Sequence, residues 1–178
     1  MRTVLPARNW EAPLAVAGGT LALVARVPSP LTVGVTAAVG AVGGLVAVGS
    51  VKPHATRLRW VAAVALGTAP FVLASLFLMS NPLPRAAFWA IGASVAAAVA
   101  EEIFFRRLVY GWLERWGAAA AVVGSAALFA AIHVPVYGPA VLPLDFAAGL
   151  IFGWQRRATG SWTAPAATHV VANLIASL

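Results

Sequence analysis

Seven polar residues of this 178-residue chain stand inside long apolar runs: Glu101, Glu102, Arg106, His133, Asp145, His169 and Asn173. Carboxylates and imidazoles are the side chains of general acid–base chemistry. An ionisable group at membrane depth is costly, so each one is a functional candidate by default. Residues four apart on an α-helix differ by about 40° and share a face, which sets Glu102 beside Arg106 and His169 beside Asn173. Glu101 is turned about 100° away from Glu102. Glu102 is therefore expected in a structural ion pair with Arg106, with Glu101 as the carboxylate that faces the pocket. The plainer alternative has both glutamates neutralising Arg106 and Arg107 at a helix end; two adjacent carboxylates a few turns inside the boundary fit it less well. His133 alone would read as an interhelical hydrogen bond, but with His169 and Asn173 at matching depth it reads as part of a binding or catalytic cluster. Asp145 could join the site, orient a histidine, or pack as a protonated hydrogen-bond partner, and is left outside the catalytic set. His54 falls in a basic loop and reads as solvated.

These residues need helices to carry them to one level. Of the chain, 61% is hydrophobic and 10% charged, against roughly a quarter charged in a soluble domain, and the mean hydropathy is +0.89. Such a composition excludes a water-soluble globule and predicts an all-α, multi-pass transmembrane bundle. About seven spans are expected, near 11–27, 31–51, 58–80, 86–115, 118–136, 139–155 and 161–178. The first is kept as a membrane helix because no small-residue cleavage site follows it. Gly40 and Gly44 in the second form a small-xxx-small packing motif. With no cysteine, disulfides and thiolate chemistry are excluded.

If the chain weaves regularly, Arg2, Arg8, Lys52, Arg57, Arg59, Arg106, Arg107, Arg115, Arg156 and Arg157 share one side, and only Arg26 and Arg85 take the other. By the positive-inside rule the N-terminus is then cytoplasmic. Six of the tryptophans, Trp10, Trp60, Trp112, Trp116, Trp154 and Trp162, fall near span ends, as interfacial aromatics do. The net charge of +7 sits in short gaps rather than on one face, so it reads as topology and not as a nucleic-acid surface. Glu101 and His133 lie equally far from a turn near Gly117, which places both about 24 Å along an antiparallel hairpin. His169 is about 12 Å into the last span, and Asn173 about 6 Å further.

Three motifs carry a family resemblance. Glu101-Glu102-Ile103-Phe104-Phe105-Arg106 reads as EExxxR, Phe129 to His133 as FxxxH, and His169 to Asn173 as HxxxN. Their order and helix placement resemble the CPBP family, the CAAX protease and bacteriocin-processing enzymes also called Abi. Gly149, Gly153, the paired arginines and Thr159-Gly160 add to the likeness, which covers about residues 86–178 and suggests a division into N-terminal helices, 1–85, and a catalytic core, 86–178. The resemblance implies intramembrane peptide-bond hydrolysis: Glu101 and His133 activating a water, His169 and Asn173 stabilising the oxyanion, and Glu102 and Arg106 at structural motif positions. It further implies a membrane-associated protein or peptide substrate in the lipid bilayer. One lysine against eleven arginines, amid abundant Ala and Val, suggests a bacterial cytoplasmic membrane.

Glu101, His133 and His169 could also hold a divalent metal such as zinc, with a fourth position open for water; the residues leave metal and metal-free chemistry both open. Two rival functions use the same residues. A non-catalytic member would bind and sequester a partner, as in bacteriocin immunity, but has no need of His169 with Asn173. A proton-coupled transporter would use Glu101, His133 and Asp145 as a relay, but is expected to show internal repeats, which this sequence lacks. HExxH, GxGD and GxSxG settings are absent.

Overall fold

A computed structural model describes residues 10–25, 31–46, 54–78 and 88–177. Among the described residues all regular structure is helical, as a bundle. The helices are α1 (Glu11–Val24), α2 (Leu31–Val46), α3 (Arg57–Leu78), α4 (Phe88–Glu102), α5 (Tyr110–Leu113), α6 (Ala118–Ala131), α7 (Val134–Tyr137), α8 (Leu142–Thr159) and α9 (Thr163–Ala176). A π-helical segment, Ile103–Val109, joins α4 to α5, and a 3-10 turn, Glu114–Trp116, follows α5. Two stretches, Arg57–Leu76 and Ala118–Tyr137, are by length and composition able to cross a bilayer. The gaps carrying Arg2, Arg8, Arg26, Lys52 and Arg85 lie outside the described residues.

The hairpin forms as the sequence predicts. Gly117 adopts a φ of 102°, a left-handed conformation that favours glycine, and reverses the chain into α6. The expected span 118–136 is interrupted, however: α6 ends at Ala131, and the backbone turns through Ile132 and His133 before the single turn of α7. Pro135 contributes to this break because it has no N–H to continue the ladder. The sixth segment also differs from the expected 139–155. Its helix begins at Leu142 and runs to Thr159, so Asp145 lies in the first turn and Arg156 and Arg157 lie inside the helix rather than in a loop. Pro143 suits a helix start, and Gly160 with φ 67° ends the helix against the exposed His54.

Without a hydrophobic driving force between helices in lipid, close backbone approach and interhelical hydrogen bonds must hold them. At Gly40 an added Cβ would meet the Ala100 backbone oxygen at 2.7 Å, so the small residues of α2 let it press directly on α4. Gly149 of α8 lies against the Ala126 backbone of α6, and Gly153, one turn on, against Val122. The α6 and α8 axes are thereby brought together along a face that leads to His133 at one end and Asp145 facing it. Helix α9 docks through buried hydrogen bonds: Gln155 Nε2 donates to the Ala63 carbonyl of α3 at 2.8 Å and to Thr168 Oγ1 of α9 at 2.7 Å.

The α6–α8 approach makes a stability prediction. Gly149→Ala puts a methyl carbon 2.8 Å from the Ala126 backbone and should destabilise the protein by about 1–3 kcal/mol, read as unfolding in detergent. Gly92→Ala, where an added Cβ meets nothing within 4 Å, should be neutral or slightly stabilising.

Candidate active site

The end of α4 delivers two adjacent carboxylates, and the π-helical segment begins immediately after them. Its wider turn is visible in the Tyr110 N–H donating to the Phe105 carbonyl, five residues back. The sequence reading took this stretch as ordinary α-helix. The wider turn leaves the Arg106 carbonyl open to a side chain, and Arg156 Nε of α8 donates to it at 2.9 Å.

Glu102 and Arg106 pair as expected, Oε2 to Nε, at 3.3 Å, and both are fully buried. The guanidinium also donates through Nη2 to the Gly149 carbonyl at 3.4 Å. Three rings surround it, with Phe129 at 5.1 Å, Phe152 at 5.3 Å and Phe105 at 5.8 Å from ring centroid to Cζ. These lie within cation–π range and partly replace the lost hydration. Glu102 does more than the expected pairing: its Oε1 accepts from His169 Nδ1 at 3.1 Å. One carboxylate thus joins α4, the π-helical segment and α9.

Glu101 faces the other way, to His133, with 3.8 Å between Oε2 and Nε2. That is too long for a direct hydrogen bond and short enough for one bridging water. On its far side, His133 Nδ1 is 2.7 Å from the Phe129 carbonyl. A carbonyl only accepts, so Nδ1 carries the proton, and Nε2 in the neutral ring is an acceptor aimed at Glu101. Asp145 Oδ2 stands 3.5 Å from the same Nδ1. Tyr137 stacks on the imidazole at 5.9 Å and 18°.

The two histidines meet through Phe129. Its ring is 4.7 Å from that of His133 and 5.6 Å from that of His169, and Phe152 stacks on the other side of His169 at 5.0 Å. Asn173, one turn beyond His169, donates to the Ser94 carbonyl of α4 at 3.4 Å. Ser94 lies two turns before Glu101 and so on nearly the same face of that helix. Glu101 and His133 thus meet between α4 and the end of α6, His169 of α9 stands across the Phe129 ring from His133, and Asn173 is held on α4 one turn further along α9. Glu101, His133 and His169 are nearly buried, with 5%, 9% and 7% of their surfaces exposed. No three metal-ligating groups gather among the described residues. His169 Nδ1 is held by Glu102 and His133 Nδ1 by a carbonyl, which leaves Nε2 of each ring as the remaining nitrogen; metal-ligating imidazoles are commonly held in the same way.

Sequence reasoning missed the bond from Glu102 to His169, the role of Phe129 between the imidazoles, and the anchoring of Asn173 on Ser94. Helix periodicity orders residues within one helix; these are all contacts between helices. The Phe of FxxxH was the one visible signal for Phe129.

The Arg106 cage is open to a direct test. Arg106→Leu leaves Glu102 buried without its cationic partner and should cost about 3–5 kcal/mol, read as a lowered unfolding transition in detergent. Arg106→Lys should recover little of it, since a point charge does not reproduce the planar contacts with three rings.

The Rce1-like model, described as type II CAAX prenyl endopeptidase Rce1-like, matches residues 81–175. No curated protein and no solved structure matches the chain. The matched stretch includes every residue of the cluster and more than half of the sequence, and membership makes this a membrane protein of a peptidase family. The chain belongs to the Rce1-like type II CAAX prenyl endopeptidase family.

Proposed function

We propose that this protein is an intramembrane endopeptidase that hydrolyses a peptide bond in a membrane-associated protein or peptide precursor, with Glu101 and His133 activating the water and His169 and Asn173 stabilising the oxyanion. The observation that carries the reading is the Glu101–His133 pair at 3.8 Å with Nδ1 of the imidazole tied to the Phe129 carbonyl. Both facing groups are then acceptors. A water between them donates one hydrogen to each, which leaves an oxygen lone pair for the scissile carbonyl carbon.

Glu101 takes the proton as the C–O bond forms and the carbonyl π pair moves to oxygen. His169, with Nδ1 held by Glu102, offers Nε2 to that oxygen and donates when the ring carries both protons. Asn173 supplies an amide N–H on rotating from the Ser94 carbonyl. Such donors commonly contribute ~10²–10³ in rate each. Collapse of the intermediate breaks the C–N bond, and the proton held by Glu101 passes to the departing amine. Nothing in this sequence of steps calls for a metal.

The family membership and the basic gaps support a multi-pass arrangement of about seven helices in the bacterial cytoplasmic membrane, N-terminus cytoplasmic, with 1–85 as supporting helices and 86–178 as the catalytic core. The partners are lipid and a peptide or membrane-protein substrate, with no nucleic acid.

The test uses detergent-purified protein and a quenched peptide library. Glu101→Ala, His133→Ala and His169→Ala should abolish cleavage and Asn173→Ala should weaken it severely. Equal turnover in Glu101→Ala rejects the assignment, and a wild type that binds peptides without cleaving them favours a sequestering role. A chelator should leave the rate unchanged; loss of activity restored by zinc would replace the glutamate reading with a metal one.

A further inference from the structure

Asp145 lies outside the three family motifs, yet its carboxylate ends beside the imidazole they contain. Two features fix it there. Gly149, one turn along α8, is pressed against the Ala126 backbone, which sets the height of α8 on α6 and carries Asp145 to the level at which α6 breaks. At the break the ring of His133 bonds the Phe129 carbonyl one turn back, and the same Nδ1 edge lies beside the first turn of α8. The result is an imidazole with a carboxylate on each side: Glu101 at 3.8 Å from Nε2 and Asp145 at 3.5 Å from Nδ1.

The buried Oδ2 of Asp145 makes no hydrogen bond of good geometry, and His133 Nδ1 is the polar atom it faces. A carboxylate oxygen buried without a partner is costly, and the protonated Nδ1 edge of the ring offsets part of that cost. The Phe129 carbonyl already takes the Nδ1 proton at 2.7 Å. A neutral carbonyl fixes the tautomer; it supplies no charge. The second acceptor on the same edge supplies a negative charge and limits rotation of the ring about its Cβ–Cγ bond.

We propose that Asp145 is a positioning residue for the hydrolysis, holding the Nδ1 edge of His133 beside α8, with its N–H on the Phe129 carbonyl, and Nε2 turned to the Glu101 water. This rests on the water-activating reading of Glu101 and His133. In that reading Glu101 accepts the proton in the chemical step, so Asp145 acts through His133 alone and has no contact with substrate.

The test compares wild type with Asp145→Asn, Asp145→Ala and Asp145→Glu in detergent. Asp145→Asn keeps the shape and removes the charge. It should lower kcat roughly 10–100-fold, as loss of a partner that orients a functional histidine does, with KM within about twofold and an unfolding transition like that of wild type. Asp145→Glu should recover part of the rate. In histidine-labelled protein, the nitrogen-15 and ring N–H signals of His133, assigned by their loss in His133→Ala, should report an Nδ1–H ring in wild type. The Nδ1–H proton should move upfield in Asp145→Asn.

A wild-type kcat in Asp145→Asn, a loss confined to KM, or an unmoved His133 signal overturns the proposal. The spectrum keeps the two readings separable. If wild type shows no cleavage dependent on Glu101, the peptidase reading fails, while the His133 signal still decides whether Asp145 orients the ring.

Discussion

Removing the Arg106 guanidinium from water costs several kcal/mol even after the surroundings relax, and the segments that meet at it are those able to offset that cost. Glu102 supplies the countercharge, Gly149 a carbonyl, and Phe105, Phe129 and Phe152 their ring faces. Each partner has a second obligation. Glu102 also receives His169, Gly149 also lets α8 approach α6, and Phe129 also separates the two imidazoles. The demand of one buried cation therefore fixes the relative heights of α4, α6, α8 and α9, and with them the polar cluster.

The adjacent glutamates divide the work by direction. Glu102 is drawn into the cage by Arg106 and His169, while the next carboxylate along the helix turns to His133. The π-helical segment that starts after them is part of the same arrangement. Its wider turn frees the Arg106 carbonyl for Arg156 and sets Arg106 among rings from three segments. Local departures of this kind cost regular hydrogen bonding and recur at functional sites.

The second irregularity is the break before α7. Non-helical backbone at membrane depth is tolerated where protein or a wet cavity covers it. Here the groups around the break are bonded locally: the His133 carbonyl receives the amides of Val136 and Tyr137, and the Phe129 carbonyl receives the ring of His133. The break that ends α6 thus also fixes which nitrogen of His133 is free.

Much of this was legible in the residues. Composition alone demanded helices. The pairing of Glu102 with Arg106, the turn at Gly117 and the close packing at Gly40 follow from spacing within one element and from the lack of a glycine side chain. Those are local properties, and local properties survive in a sequence read without its partners. The extent of α8, the π-helical turn, the bond from Glu102 to His169 and the place of Asp145 beside His133 were decided by tertiary structure. Each depends on the height and rotation of one helix against another, set by backbone contact at glycines and by the need to satisfy a buried charge, and no periodicity along a single chain encodes that distance.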